Sequence, residues 1–318
     1  MSRKLLLTLP VLLLFAVAGL WYYVNHRTRA LVDAHLERMV SSGQYQDITY
    51  EHLRVGLTGK VTLRDLRFVL PEGQELTLAD VQVSNLDYAN EIPEHMNLSA
   101  RGIRLPADQA LLGTSENELL ARYVESQAEN GVLPLEIDYL HRYTPDDAFR
   151  LDSDLRMALP ESFTLQVNSS SSQLDLATYN DVATRDPDPA RAQLQMMQQL
   201  GEAEIDSAQI RLQDQGLLEG LLALSGEQSG VSAEDMRRLL ITQAHNMHLF
   251  VPEAAQALAQ DAGTQLATFL EGGRTLSTSI APPNLNRFQD LQQDIMGAAF
   301  SGNFNHIADT LGLEIITQ

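Results

Sequence analysis

Two histidines, His245 and His248, have the spacing best suited to chemistry in this 318-residue chain. Residues i and i+3 of a helix share a face, so two imidazoles placed there can hold a metal ion. A metal site also needs further ligands, and the chain has no H-E-x-x-H pattern. We therefore interpret the pair as surface or partly buried histidines near a helix end, and we predict no metal site.

Two other segments have the residue types of functional sites without the required spacing. The segment 56–60, G-L-T-G-K, has two residues between its glycines, whereas a phosphate-binding loop has four. A hairpin turn explains it better. Asp152 and Asp154 alternate with Leu151 and Leu155, which is typical of the solvated face of a strand. With no G-x-S-x-G sequence either, we predict no catalytic residue, no cofactor-binding residue and no enzymatic activity.

An uncharged, mostly apolar stretch covers residues 5–24 and follows Arg3 and Lys4. At about 1.5 Å of rise per residue, a helix of this length reaches across a hydrocarbon core of about 30 Å. Its end carries three aromatic residues that suit a membrane–water interface, namely Trp21, Tyr22 and Tyr23. The stretch therefore predicts a transmembrane signal anchor.

Cleavage of this anchor is the alternative, because Ala16-Val17-Ala18 fits the small-x-small pattern of a signal-peptidase site. Apolar character continues beyond Ala18 to Val24, which favours an uncleaved anchor. Basic residues flank the stretch on both sides, but long domains are exported largely regardless of charge. We expect residues 1–4 in the cytoplasm, residues 5–24 in a bacterial inner membrane and residues 26–318 in the periplasm.

Composition limits the partners of the exported part. The chain has 22 basic and 42 acidic residues, a net charge of −20 and no cysteine. Nucleic-acid binding requires clustered positive charge, so we do not expect nucleic acid as a partner. Disulfide and thiolate chemistry are excluded by the lack of cysteine. The expected partner is the membrane itself, through the N-terminal helix.

Periodicity predicts the organisation after the anchor. Apolar residues at helical spacing predict a stalk helix over residues 26–43. Residues 44–318 are then expected to form an α+β domain, with a possible subdivision near residues 169–190. In that region the serine run 169–172 is typical of a solvated turn.

The strands predicted for this domain share an unusual spacing, with apolar residues at the first, third, sixth and eighth positions. Strict alternation would put the second pair on the opposite face, whereas a β-bulge keeps all four on one face and bends the strand. Two short strands joined by a turn are the alternative. The spacing predicts a curved, bulged antiparallel sheet, and it occurs in segments 61–68, 76–83, 98–105 and, more weakly, 203–210.

The last third of the chain has mainly helical periodicity. The clearest helix covers residues 255–270 and ends at Gly272-Gly273. Other helices are predicted near residues 115–130 and from residue 232 onward, and a final strand over 311–316. We expect the helices to pack on one face of the curved sheet, in an α+β arrangement.

The segment 48–68 follows the anchor and has a recognisable pattern. It reads I-T-Y-E-H-L-R-V-G-L-T-G-K-V-T-L-R-D-L-R-F. Within it, Gly59, Val61, Leu63 and Leu66 fill the pattern G-x-[IV]-x-L-x-x-[IL]. This beginning resembles that of the AsmA-like and YdgA-type bacterial envelope proteins.

The end of the chain carries a second resemblance. Residues 273–283, G-R-T-L-S-T-S-I-A-P-P, followed by Leu311-Gly312-Leu313, are similar to the end of YdgA-type chains. The resemblance implies a curved sheet whose concave face is apolar and can hold acyl chains. It supplies no catalytic residues.

Together, these observations predict a single-pass inner-membrane protein whose periplasmic domain binds or helps to transfer lipid or another apolar envelope component. A non-enzymatic scaffold or accessory subunit that holds an envelope protein partner is the alternative. An open apolar groove and a core covered by helices have the same sequence pattern. The candidate groove residues are Leu63, Leu66, Phe68, Leu78, Val81 and Val83.

Overall fold

The structure of the protein is a computed structural model. It describes residues 26–318 except 27, 31, 35, 38, 42, 44, 57–59, 72, 74, 86–93, 105–117, 130–131, 177, 179–188, 284–286 and 302. The predicted anchor, with Trp21, Tyr22 and Tyr23, lies outside these residues. Among the described residues, no helix has the length and apolar character needed to cross a membrane.

The strands of the described part form one antiparallel sheet. They are β1 (Asp47–Thr49), β2 (His52–Val55), β3 (Val61–Val69), β4 (Glu75–Ser84), β5 (His95–Arg104), β6 (Val132–Thr144), β7 (Arg150–Leu159), β8 (Phe163–Ser172), β9 (Glu204–Asp214), β10 (Thr275–Ile280) and β11 (Glu314–Thr317). Their order in the sheet is β1-β3-β4-β5-β6-β7-β8-β9-β10-β11, and β2 also pairs with β3.

Helices separate several of the strands, most of them after β9, which makes the fold α+β. They are α1 (Glu118–Ser126), α2 (Pro189–Glu202), α3 (Leu217–Ser229), α4 (Ala233–His245), α5 (Gln256–Leu270), α6 (Phe288–Ser301) and α7 (Phe304–Leu311). Two short 3₁₀ helices, Met247–Phe250 and Glu253–Ala255, connect α4 to α5. Helical residues between positions 26 and 41 form what we call the N-terminal helical segment.

The unusual spacing of apolar residues corresponds to interruptions in strand pairing. The ladder between β3 and β4 omits Asp65 and Ala79, and the ladder between β4 and β5 omits Ala79 and Gly102. Asp65 and Gly102 have φ values of 51° and 68°, in the left-handed region that is accessible to glycine and sometimes to aspartate. In β9, Asp206 alone is omitted, so the register between β8 and β9 shifts at this point. Because both strands of each of the first two pairs omit one residue, the register does not shift within β3, β4 and β5, and their apolar residues share one face without the extra residue of the predicted β-bulge. A register shift also occurs between β5 and β6.

The register therefore gives the sheet an apolar face and a polar face. Residues directly opposite each other in adjacent strands share a face, so the faces can be followed from strand to strand. One row of neighbours on the apolar face crosses nine strands and consists of Val61, Val83, Leu98, Tyr139, Leu155, Val167, Ile210, Thr278 and Ile315.

Helices contact the apolar face in separate places. The N-terminal helical segment packs over β3 and β4, and α1 and α3 pack over the ends of β6 and β7 near Leu135 and Leu159. The helices α3, α4 and α5 share a further cluster built around Ala244, Ala267 and Leu270. Burial of these apolar contacts is the main stabilising term available to a chain that has no disulfide.

The serine run 169–172 is part of a strand, so the prediction of a solvated turn was wrong. These residues lie in β8 and pair with both β7 and β9. The hydroxyls of Ser170 and Ser172 donate hydrogen bonds to the Asp206 carboxylate at 3.3 and 3.0 Å. The serine hydroxyls thus form hydrogen bonds with a side chain of the neighbouring strand, and this allows a serine-rich segment to remain in a sheet. The sheet is continuous across this part of residues 169–190.

Candidate functional site

The six predicted groove residues lie together on the apolar face of β3 and β4. Leu63, Leu66 and Val81 are buried, and the other three are partly buried. All six belong to one hydrophobic cluster, against which four residues of the N-terminal helical segment pack, namely Val32, Leu36, Met39 and Val40. In this structure they form part of a core, and a ligand-binding role for them stays a prediction.

An apolar cleft lies between α4, the 3₁₀ helix Met247–Phe250 and α5, and we call it the α4–α5 cleft. Its volume is about 510 Å³. Phe250 at its edge is 82% exposed, and the adjacent Leu249 is 65% exposed. Exposure of this extent is unusual for large apolar side chains and often marks a binding surface. The lining residues are Leu240, Gln243, Ala244, Met247, Phe250, Leu266 and Leu270.

Small residues allow α4 and α5 to approach closely at the base of this cleft. A Cβ atom placed on Gly263 would lie 2.2 Å from the backbone oxygen of Ala244, so no larger residue fits there. Ala244 and Ala267 are buried beside it. Glycine and alanine thus set the distance between the helices, and the larger residues further out line the cleft.

The end of α4 determines where Phe250 lies. The helix ends at His245, and Asn246 follows as its C-cap. The backbone N–H of Leu249 then donates to the carbonyl of Asn246 at 2.9 Å, which closes the 3₁₀ turn. This turn carries Leu249 and Phe250 away from the direction of α4 and places Phe250 at the mouth of the cleft.

His245 and His248 lie beside the cleft and not on one helix face. His245 is the exposed last residue of α4, and His248 is partly buried in the following 3₁₀ helix. Nδ1 of His248 lies 3.0 Å from the carbonyl oxygen of His245. Their interpretation as surface or partly buried histidines near a helix end is confirmed. In the part of the chain that is described, no three side chains are grouped as a metal site would require.

The two remaining sequence candidates also have structural roles. Val55 pairs with Val61, and the N–H of Gly56 donates to the carbonyl of Lys60 at 2.7 Å. The segment 56–60 thus connects a hairpin, as predicted. Asp152 and Asp154 lie on the polar face of β7, and Arg150 Nε donates to Asp152 Oδ1 at 3.1 Å.

A second cavity, also of about 510 Å³, lies between the N-terminal helical segment and β1. Its lining includes three carboxylates, Asp33, Glu37 and Asp47. The hydroxyl of Tyr50 donates to Asp33 Oδ1 at 2.5 Å, and burial, followed by this hydrogen bond, raises the pKa of Tyr50. The carboxylates make this cavity less suitable than the α4–α5 cleft for an apolar ligand or an anionic one.

Residues 146–318 match a protein-family model that is described as "Uncharacterized protein". The match covers more than half of the chain. The chain belongs to this family. The family region begins in the turn between β6 and β7, so it contains both walls of the α4–α5 cleft. No match to a curated protein was found.

Sequence reasoning missed the cleft although it predicted the helix that forms one wall. The apolar stripe of α5 is visible in the periodicity of residues 255–270. The missing signal was Leu249-Phe250-Val251-Pro252, an apolar run that begins where α4 has already ended. Large apolar residues in a connection that ends at proline indicate an exposed apolar turn.

Proposed function

We propose that this protein is a single-pass protein of a bacterial inner membrane whose periplasmic α+β domain binds lipid or another apolar component of the envelope. The observation that carries the proposal is the α4–α5 cleft. Its volume of about 510 Å³ lies within the range of about 300–1,000 Å³ that is typical of ligand sites. Such sites are mostly apolar with a few polar groups, and Gln243 supplies one at the edge.

The cleft suits an acyl chain for two physical reasons. Its side chains are neutral, so an apolar chain enters without leaving a charged group desolvated. Phe250 is already exposed to solvent, and covering it with a ligand would gain about 25 cal/mol for each Å² of apolar surface removed from water. The six residues on β3 and β4 would bind a ligand only after the N-terminal helical segment had moved away. The cleft requires no such movement.

The location in the membrane is proposed from the sequence. Residues 5–24 have the length and composition of a signal anchor. Three aromatic residues near its end suit the membrane–water interface, namely Trp21, Tyr22 and Tyr23. The resemblance to AsmA-like and YdgA-type envelope proteins supports the same location. The register shifts between β5 and β6 and between β8 and β9 favour the curved sheet that this resemblance implies.

The absence of cysteine from the chain provides a direct test. A single cysteine replaces Gln243 and is labelled with an environment-sensitive fluorophore, in the full chain reconstituted into nanodiscs. Titration with palmitate or with phosphatidylglycerol is expected to shift the emission to the blue with saturation. The matched control is Thr242→Cys, an exposed position on the opposite side of α4, where no saturable shift is expected.

Two results would contradict the proposal. Equal responses at positions 242 and 243 would show non-specific adsorption, and no response at either would show that the cleft does not take lipid. The alternative, a non-enzymatic scaffold for an envelope protein partner, would be favoured if the full chain were isolated with a stoichiometric protein and without lipid.

A further inference from the structure

The two most exposed large apolar side chains of the described residues are neighbours in the sequence. They are Leu249 and Phe250, which are 65% and 82% exposed at the end of the 3₁₀ helix that follows α4. We call this pair the apolar tip. Phe250 lines the α4–α5 cleft, whereas Leu249 does not. A ligand inside the cleft therefore accounts for the exposure of Phe250 and not for that of Leu249.

The apolar tip carries no charge that would have to leave water with it. The chain has 42 acidic residues, but none occurs between Asp235 and Glu253. Transfer of an unpaired carboxylate into an apolar medium has a large free-energy cost, and anionic lipid head groups repel carboxylates. An acid-free turn with two large apolar side chains avoids both costs, and this composition is compatible with a bilayer.

The N-terminal helical segment and α5 lie on the same side of the sheet. The segment packs on the apolar face of β3 and β4. At the other edge of the sheet, the hydroxyl of Thr317 donates to the carbonyl oxygen of Gln265 in α5 at 2.7 Å. Thr317 lies on the apolar face, in the row of opposite residues that also contains Leu63. The chain thus leaves the proposed anchor on the side of the sheet that carries α5.

The apolar face between these two edges is partly open. Ile210 is 51% exposed, although it lies in an apolar row of β9, an interior strand. β3 and β11 are eight strand spacings apart, about 38 Å along the sheet. This side of the domain therefore presents exposed apolar side chains in separate places, which is typical of a surface that faces a membrane.

We propose that the apolar tip inserts into the periplasmic leaflet of the membrane that holds the proposed anchor, so that the α4–α5 cleft opens directly to the bilayer. The proposal rests on the proposed function and names the source of its ligand, a lipid of that leaflet. Leucine and phenylalanine are typical of segments that lie buried in a membrane interface. The lipid would pass from the leaflet into the cleft without crossing water.

A bilayer suits the apolar tip better than a second copy of the chain or another protein. A stable protein–protein interface buries about 800 Å² on each partner, whereas the tip is one turn with two large apolar side chains. The anchor removes this difficulty for the membrane, because a tethered domain meets the bilayer at a high effective concentration. A small apolar contact is then sufficient to hold the domain against the leaflet.

The position of the tip is measured by quenching with brominated lipids. Leu249→Cys is labelled with an environment-sensitive fluorophore in the full chain, in nanodiscs of phosphatidylethanolamine and phosphatidylglycerol. Brominated acyl chains are expected to quench the emission by about half, because an interfacial segment is buried by about 5–10 Å. Ile316→Cys is the matched control. Ile316 is an apolar residue that is 42% exposed on the polar face, and no quenching is expected there.

Replacement of Leu249 by aspartate separates docking from the affinity of the cleft itself. Decanoate, a fatty acid added from solution, should shift the emission of a fluorophore at position 243 as before, because Leu249 does not line the cleft. Phosphatidylglycerol with a photoreactive acyl chain, supplied in the nanodisc bilayer, should crosslink to α5 about tenfold less, since the carboxylate opposes insertion. Ile316→Asp should change neither result.

Unquenched emission at position 249, or equal quenching at positions 249 and 316, would overturn the proposal. So would a blue shift at position 249 that appears in detergent and grows with protein concentration, because a second copy would then cover the tip. A decanoate response at position 243 without quenching at 249 would retain the cleft as a ligand site and exclude the docking. Quenching at 249 without a response at 243 would support the docking and contradict the proposed function.

Discussion

Two apolar surfaces of this protein are built from the same residue types and differ in what covers them. On β3 and β4, Leu66 and its neighbours pack against the N-terminal helical segment, and Leu66 is 5% exposed. Between α4 and α5, Leu266 and Met247 line an open cleft whose edge residue, Phe250, is 82% exposed. An apolar pattern in the sequence therefore predicts an apolar surface. Whether that surface becomes core or stays open to a ligand depends on whether another element packs over it.

The largest expected effect is at the covered surface. Leu66→Asp places an unpaired carboxylate in the core, which costs several kcal/mol, against a total stability of about 5–15 kcal/mol for a typical domain. We expect loss of the native fold in far-UV circular dichroism and urea unfolding. Leu66→Met is the control and should lower the free energy of unfolding by less than about 1.5 kcal/mol. If the Leu66→Asp protein folded but had lost lipid binding, the surface on β3 and β4 would be the lipid-binding site and not part of the core.

A smaller effect is expected where α4 meets α5. Gly263→Ala puts a Cβ atom against the carbonyl of Ala244, so the helices must separate, and we expect a loss of about 1–3 kcal/mol of stability. Gly297→Ala is the control, because Gly297 is exposed in α6 with no atom near its would-be Cβ. That variant should gain about 0.5–1 kcal/mol from helix propensity. Equal changes in thermal unfolding would show that the close approach of α4 and α5 is unimportant.

At the open surface, the change should affect binding and not folding. Phe250→Asp is expected to alter the free energy of unfolding by no more than about 0.5 kcal/mol, as is usual for exposed positions. Lipid affinity, measured with the fluorophore at position 243, should fall about tenfold, or about 1.4 kcal/mol. Val231→Asp changes another exposed apolar residue outside the cleft and should leave affinity unchanged. An unfolded Phe250→Asp protein would place Phe250 in the core.

The smallest effect is expected at a contact between α6 and α7 whose residues belong to neither apolar surface. Thr310 Oγ1 donates to Asp294 Oδ2 at 2.7 Å, and His306 Nε2 lies 2.9 Å from the same oxygen. These hydrogen bonds, that of Thr310 first, lower the pKa of Asp294. A lowered pKa stabilises the fold above the ordinary pKa of aspartate, and the contribution is lost as the pH falls through the lowered value.

Replacement of Thr310 by valine tests this contact. The pKa of Asp294 should rise toward its ordinary value, and the acid-induced loss of stability should begin at a higher pH. Carbon NMR of the Asp294 carboxyl group during a pH titration measures the first effect, and acid unfolding measures the second. An unchanged titration would show that Thr310 does not stabilise the carboxylate.

Features determined by neighbours in sequence could be predicted. The spacing of Leu63, Leu66 and their counterparts in β4 predicted that these residues share one face, because faces alternate residue by residue along a strand. The β-bulge predicted as the cause is absent from this pair of strands. The helix predicted from residue 232 onward also depends on neighbours in sequence, and the Ser232 hydroxyl accepts from the N–H of Asp235 at 3.1 Å where α4 begins. The serine run 169–172 was predicted wrongly, because Asp206, which accepts hydrogen bonds from Ser170 and Ser172, lies in another strand.

Features that join distant residues could not be predicted. The pairing of strands brings Asn97, Asp154 and Gln209 into one row on the polar face of the sheet, and the row depends on the register of every strand between them. A shift of one residue in any strand would break it. The burial of Leu66 by the N-terminal helical segment and the exposure of Phe250 at the α4–α5 cleft also depend on how distant elements pack together. Hydrophobic periodicity does not encode this packing.

The strand order has a consequence for the path of folding. Strands β3 to β9 each pair with the next strand in the sequence, separated in the described part by a connection or a single helix. β10 pairs with β9 only after α3, α4 and α5 have been traversed. This connection is the longest between two consecutive strands of the sheet, so bringing its ends together has the largest entropic cost of the strand pairings. Loop closure becomes less favourable as the loop lengthens. We therefore expect β10 and β11 to dock after the meander from β3 to β9 has formed.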